Sequence, residues 1–231
     1  MTPAVTTIGI LPAAGYAVRL QPLPCSKEMI DVSGRPLIDF LVERMRAGGC
    51  DELRVVTRPD KEDVRAYAER IGAGVVLGHP ATINESVVAG MAGLAPDAIV
   101  LVGFPDSIWE PLDGFRPLVA AVEGGQEIAL GLFEAPGVEG SDYLSLDASG
   151  RIEHIEIKPA VPPSDWIWGC AAARVRALKG FEREEWPSGY MNSLIRQGME
   201  LFGERLSDAY LDIGTGASLK RAAEDGWKLS F

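Results

Sequence analysis

The stretch Val5-Thr-Thr-Ile-Gly-Ile-Leu-Pro-Ala-Ala-Gly-Tyr-Ala-Val-Arg-Leu20 decides the fold. Val5 to Ala13 is short, apolar and rich in β-branched residues, which predicts a buried strand. Gly, Pro and Ala then dominate, so the strand opens into a loop that runs to about Pro36. Open α/β sheets bind ligands beyond the carboxyl ends of their strands. Ala13, Ala14 and Gly15 are small enough for backbone N–H groups to approach a ligand closely, and such a nest suits phosphate oxygens. Arg19 adds a planar, permanently charged fork and Lys27 a flexible point charge. On these residues alone, the loop is equally a tight turn with two solvated cations.

Outward from that stretch, strands and helices alternate. Leu37 to Ala47 carries apolar residues at helical spacing and is stopped by Gly48 and Gly49. Leu53–Thr57, Val75–Leu77 and Ala98–Val102 predict strands; Lys61–Ile71 and Asn84–Leu94 predict helices between them. This alternation implies βαβ units and a parallel sheet covered on both faces. The second half changes character. Glu127–Glu134 and Trp166–Ala173 read as strands, Tyr143–Leu146 and Arg151–Ile157 as a hairpin, and Ser188–Leu201 and Ser218–Glu224 as helices. The break at Pro136 and Gly137 is too brief to separate two domains, so residues 1–231 are read as one domain.

Composition narrows the function classes. Among 231 residues, 22 Lys and Arg face 33 Asp and Glu, a formal charge of −11. An acidic surface repels phosphate backbones, so no nucleic-acid partner is expected. Three scattered cysteines and two histidines argue against a structural zinc site and for a reducing compartment. The N-terminal stretch is a poor signal peptide, and no apolar run reaches the ~20 residues that cross a bilayer. A cytoplasmic enzyme with no membrane partner is expected.

Six segments carry a resemblance. Pro12-Ala-Ala-Gly-Tyr-Ala-Val-Arg19, Ser26-Lys-Glu-Met-Ile30 and Gly34-Arg-Pro-Leu-Ile38 resemble the signature loop of the sugar-1-phosphate nucleotidylyltransferases, which include the glucose-1-phosphate thymidylyl- and uridylyltransferases. Val100-Leu-Val-Gly-Phe-Pro-Asp106, Gly150-Arg-Ile-Glu-His-Ile-Glu-Ile-Lys-Pro159 and Tyr210-Leu-Asp-Ile-Gly-Thr215 resemble later motifs of that family, in the same order. The resemblance covers roughly residues 8 to 225. It implies a single-domain, Rossmann-like nucleotidyltransferase fold with a mixed, mostly parallel central sheet flanked by helices. It also implies Mg²⁺-dependent transfer of a nucleotidyl group from a nucleoside triphosphate to a sugar 1-phosphate, and a homo-oligomer as a family-level expectation.

By this resemblance, Arg19 and Lys27 are the catalytic cations, and Asp106 and Asp212 the metal ligands. Ala14, Gly15, His79 and Asn84 contact the nucleotide; Lys158 and Gly169 contact the acceptor phosphate and sugar. The chain also departs from the pattern. The loop's usual Gly-Thr is Ala17-Val18, the proline before Lys27 is Ser26, and the glutamate before Lys158 is Ile157. Trp109, Trp166 and Trp168 are either core residues or an aromatic wall that would suit a quaternary ammonium group. Two alternatives stand beside the sugar-nucleotide reading: a cytidylyltransferase acting on phosphocholine or another non-sugar phosphate, and a catalytically weak nucleotide or sugar-phosphate binder.

Overall fold

The computed structural model describes residues 5–138 and 140–224. The predicted first strand is β1 (Thr7–Pro12), and the hairpin strands β2 (Asp31–Val32) and β3 (Arg35–Pro36) lie in the loop after it. The alternating part follows as α1 (Ile38–Ala47), β4 (Glu52–Thr57), α2 (Glu62–Arg70), β5 (Gly74–Leu77), α3 (Ile83–Gly90) and β6 (Ile99–Gly103). Beyond it come β7 (Ser107–Trp109), α4 (Phe115–Glu123), β8 (Ile128–Glu134), β9 (Tyr143–Leu146), β10 (Ile152–Glu156) and β11 (Trp166–Arg174). The chain continues through α5 (Pro187–Arg196), β12 (Phe202–Ser207), β13 (Tyr210–Asp212) and α6 (Gly216–Glu224).

Among the described residues, nine strands form one mixed sheet, with β10-β9-β11-β6-β1-β4-β5 as its main path. β1 pairs in parallel with β4 and β6, and β4 with β5, as the βαβ reading requires. β11 is the pivot of the other half: it runs antiparallel to β6, β8 and β9, and β12 adds to β8 in parallel. The sheet buries both faces. Ile38, Leu41 and Met45 of α1 pack with Phe115 and Leu118 of α4 and Tyr67 of α2 on one side. Val87 of α3 packs with Tyr190, Met191 and Leu194 of α5 on the other. The helix expected over Ser188–Leu201 ends earlier, at Arg196, because the chain turns at Gly198 with φ +91°.

A separate two-stranded ribbon fixes the carboxylate-bearing segments. β7 and β13 pair antiparallel with Asp212 opposite Ser107, and Ile213 N–H donates to the Asp106 carbonyl at 2.8 Å. Ile108, Leu211 and Ile213 bury the ribbon against Leu37 and Phe40. Arg44, fully buried, bonds the carbonyls of Trp109 and Phe40 and sits 3.4 Å from Glu110. Burial lowers its pKa to about 10, which leaves it charged at neutral pH. Arg44 therefore ties α1 to the end of β7, and β7 in turn carries Asp212.

Candidate active site

The site begins where β1 runs out. Ala13 and Ala14 are buried, and Ala13 N–H donates to the Val56 carbonyl at 2.8 Å, which continues the sheet pairing by one residue. The loop then turns through Ala17, whose φ of 50° and ψ of 46° are left-handed. An L-residue there costs roughly 1–2 kcal/mol relative to the right-handed region. A short helical turn, Val18–Leu20, carries exposed Arg19, and a second, Lys27–Met29, carries Lys27.

Buried charge locks this loop. Lys61 Nζ donates to both oxygens of Glu28 at 2.9 and 2.8 Å and to the Ala13 carbonyl at 2.9 Å. Burial is the largest influence on Glu28 and holds its carboxyl above the usual range, against the pull of Lys61. On α2, Asp63 accepts the Ser26 N–H and hydroxyl at 2.7 Å each. Asp63 thus fixes Ser26, the residue before Lys27, by two hydrogen bonds.

Two adjoining cavities open beside the loop. The larger, about 290 Å³, is lined by Ala14, Gly15, Arg19, Lys27, Thr82 and Asp106 among others. The smaller, about 200 Å³, is lined by Asp142, Lys158, Trp168, Trp186, Tyr210 and Asp212 among others. Arg19, Ile83, Phe104 and Asp106 belong to both, so the junction carries a cation and a carboxylate. Lys27 Nζ lies 2.7 Å from Asp106 Oδ2. Burial and the neighbouring Asp106 carboxylate push Asp212 up to about 6, while Lys27 and Arg19 pull it down. A Cβ on Gly214 would lie 3.1 Å from Asp212 Oδ2 and 3.2 Å from Arg19 Nη2, so glycine keeps the space between those two groups open.

Arg19, Lys27, Ala14, Gly15, Asp106, Lys158 and Asp212 all line this pair of joined cavities. Three other expected contacts do not. Asn84 is fully buried, and its amide donates to the Phe181 and Glu184 carbonyls; it bolts α3 to the segment before α5 and lines neither cavity. His79 is exposed and stands outside the larger cavity, whose wall Pro80, Ala81, Thr82 and Ile83 supply. Gly169 faces protein: a Cβ there would meet Tyr210 Cε2 at 2.4 Å and Phe133 Cε2 at 2.9 Å. Its glycine serves packing.

The tryptophans divide. Trp109 is fully buried against Phe115 and Phe133, which is the core reading. Trp166 stacks with Arg205. Trp168 alone of the three lines the smaller cavity, joined by Trp186, whose isolated position in sequence gave no sign of it. Lys158 lies beyond the end of β10, in a left-handed conformation with φ 46°, and its Nζ sits 3.3 Å from the centre of the Trp186 ring. Lys61, Asp63 and Asp142 carry no signal of their own in the sequence, because their roles depend on partners far away in the chain.

A model of the MobA-like NTP transferase domain matches residues 9–135, from within β1 to just past β8. The chain belongs to the MobA-like NTP transferase domain family. Along nearly its whole length it is similar to a glucose-1-phosphate thymidylyltransferase from Neisseria meningitidis serogroup A / serotype 4A (strain DSM 15465 / Z2491), with 25% identity over 93% of this chain and 81% of that one. It also matches a 3-deoxy-manno-octulosonate cytidylyltransferase from Anaeromyxobacter sp. (strain Fw109-5), 36% identical over 52% of this chain; the match spans about half (48%) of that relative's length. A crystallised glucose-1-phosphate thymidylyltransferase-like protein from Bacillus anthracis, in complex with sucrose, shares the fold with a TM-score of 0.85 at 19% identity, over 98% of this chain and 97% of that one. The chain is thus a nucleotidyltransferase-family member that is similar along most of its length to a sugar-1-phosphate nucleotidylyltransferase, and its mixed, helix-flanked sheet is the fold of the crystallised neighbour. Among the described residues, no helix is long and apolar enough to cross a membrane.

Proposed function

We propose that this chain, as one domain, transfers a nucleotidyl group from a nucleoside triphosphate to a sugar 1-phosphate and releases pyrophosphate. The observation that carries the reading is the pair of cavities joined at Arg19 and Asp106, with the small-residue loop on one side and Lys158 on the other. In this reading the nucleotide occupies the larger cavity and the acceptor the smaller one. An oxygen of the acceptor phosphate attacks the α-phosphorus, and the bond from that phosphorus to the bridging oxygen of the β-phosphate breaks. The electron pair leaves with pyrophosphate. No covalent nucleophile on the protein is required; positioning and charge neutralisation carry the step.

Arg19 and Lys27 neutralise the triphosphate and the departing pyrophosphate. Ala14 and Gly15 offer backbone donors, and Lys158 orients the acceptor phosphate. Asp106 and Asp212 are hard oxygen donors whose mutual repulsion a divalent cation relieves, and Mg²⁺ is satisfied by two carboxylates because it keeps several waters. These residues fit Mg²⁺, which would polarise the phosphoryl oxygens.

A second reading, cytidylyl transfer to phosphocholine, draws support from Trp168 and Trp186 in the smaller cavity. The Lys158 ammonium over the Trp186 ring counts against it, because that face already holds a cation. The test is pyrophosphate release with Mg²⁺, a panel of nucleoside triphosphates and a panel of phosphate monoesters. Release with a hexose 1-phosphate supports the proposal. Release with phosphocholine alone supports the second reading, and nucleotide binding without release from any pair overturns both.

A further inference from the structure

The smaller cavity contains a carboxylate held by a directional chain of hydrogen bonds. Trp168 Nε1 donates to Ser188 Oγ at 2.9 Å. An indole N–H can only donate, so the Ser188 oxygen accepts, and its own proton points to Asp142 Oδ2 at 2.5 Å. The other oxygen, Asp142 Oδ1, accepts the Lys158 N–H at 3.2 Å. Both carboxylate oxygens therefore act as acceptors; burial pushes this carboxyl above its usual range, and the bonds from Ser188 and Lys158 with the Lys158 charge act against it in favour of the ionised form. Each oxygen retains lone-pair capacity on the side that lines the cavity.

Two consequences follow for a bound molecule. An acceptor-only group in a partly desolvated wall demands hydrogen-bond donors from its ligand. Those donors are better neutral than cationic at this wall, because the Lys158 ammonium already covers the Trp186 ring. Hydroxyl groups on a ring flanked by Trp168 and Trp186 meet both conditions.

Building on the sugar 1-phosphate reading above, we propose that Asp142 is the residue that selects the acceptor, by receiving hydrogen bonds from the ring hydroxyls of the sugar. Its bond to the Lys158 N–H, in a turn with φ 46°, also aligns that lysine with the phosphate. Ser188 is a positioning residue that fixes the carboxylate's orientation.

The test compares wild type, Asp142→Asn and Ser188→Ala with glucose 1-phosphate, its mono-deoxy analogues, methyl phosphate and phosphocholine. Asp142→Asn is expected to raise the KM for glucose 1-phosphate about tenfold or more, with the nucleotide KM unchanged. It should also flatten the preference for glucose 1-phosphate over one deoxy analogue. Ser188→Ala should weaken the same preference by a smaller factor, and it serves as the readout should the Asn variant fail to fold. An equal loss with glucose 1-phosphate and methyl phosphate would mean that Asp142 only shapes the Lys158 turn, and would overturn the proposal. So would a wild-type preference for phosphocholine. Calorimetric binding of glucose 1-phosphate separates the two levels. Binding that depends on Asp142 without turnover sinks the transferase reading and keeps this one; turnover with an unaltered preference in both variants does the reverse.

Discussion

Replacing Lys61 with methionine should cost about 3–5 kcal/mol of stability, the amount lost when one partner of a buried ion pair is removed. The structure places the case in that class. The side chains of Lys61 and Glu28 are 8% and 7% exposed, and Lys61 satisfies both carboxylate oxygens. Methionine preserves most of the stem's volume, so the loss reports the charge and its three hydrogen bonds, including that to the Ala13 carbonyl. Glu28 would then be left as an uncompensated acid, almost wholly buried at the edge of the larger cavity. Adding Glu28→Gln removes that acid, and the cost should fall to about 1–3 kcal/mol, that of the polar groups still lacking partners. Urea unfolding at neutral pH, followed by tryptophan fluorescence, measures both values and their coupling. A loss below about 1 kcal/mol for Lys61→Met, or strict additivity in the double variant, would refute the reasoning, since it would mean that the pair is solvated in solution.

Four further outcomes are expected. Lys27→Ala or Asp212→Asn should leave the thermal unfolding curve near that of wild type but lower pyrophosphate release by about 10²–10³, the usual scale for removing one electrostatic contact to a transition state; near-wild-type turnover would remove the role assigned to that residue. Gly169→Ala should destabilise by about 1–3 kcal/mol through overpacking against Tyr210 and Phe133, and in whatever fraction folds the acceptor KM should stay within twofold; a normal unfolding midpoint with a raised KM would return Gly169 to the sugar site. Ala17→Gly should relieve the left-handed cost of about 1–2 kcal/mol, partly offset by about 0.5–1 kcal/mol of extra chain entropy, so denaturant midpoints should rise slightly, while Ala17→Val should lower them. Asp147, partly exposed in the β9–β10 turn, is lowered to about 2 by hydrogen bonds from Ser149 and Arg151; its contribution is present above the ordinary Asp range and lost as pH falls from about 5 through 2, so Asp147→Asn should differ from wild type at pH 7 and converge with it below pH 2.

The parts of the fold legible in sequence were those set by local pattern. β1, α1, β4, α2 and β6 follow from apolar spacing and terminating glycines within a few residues of their observed bounds. The ribbon of β7 and β13 was not legible, because three-residue strands carry no period and exist through pairing about a hundred residues apart. The helix α4 was obscured by Pro117, which is harmless in a first turn, where no intrahelical N–H bond is lost.

At the site, residue type was legible where chemistry demands charge: Arg19, Lys27, Asp106, Lys158 and Asp212 reach the cleft. Direction was not legible. Asn84 and Gly169 sit one residue from cavity-lining Ile83 and Trp168, yet face the interior, because a one-residue step reverses the face along a strand and turns it by about 100° along a helix. Glu28 with Lys61, and Asp142 with Ser188, stayed hidden because each becomes informative only beside its distant partner.

In the proposed reaction, the two cavities that meet at Arg19 and Asp106, with Lys27 in one and Asp212 in the other, hold the two halves of a nucleoside diphosphate sugar. Crystals of the protein grown with Mg²⁺ and UDP-glucose or dTDP-glucose test it most directly. The account predicts the base beside Ala14, Gly15 and Thr82, the diphosphate at the junction, and the sugar between Trp168, Trp186 and Asp142. A diphosphate bound away from the 106 and 212 carboxylates, or a base in the tryptophan-lined cavity, would contradict it.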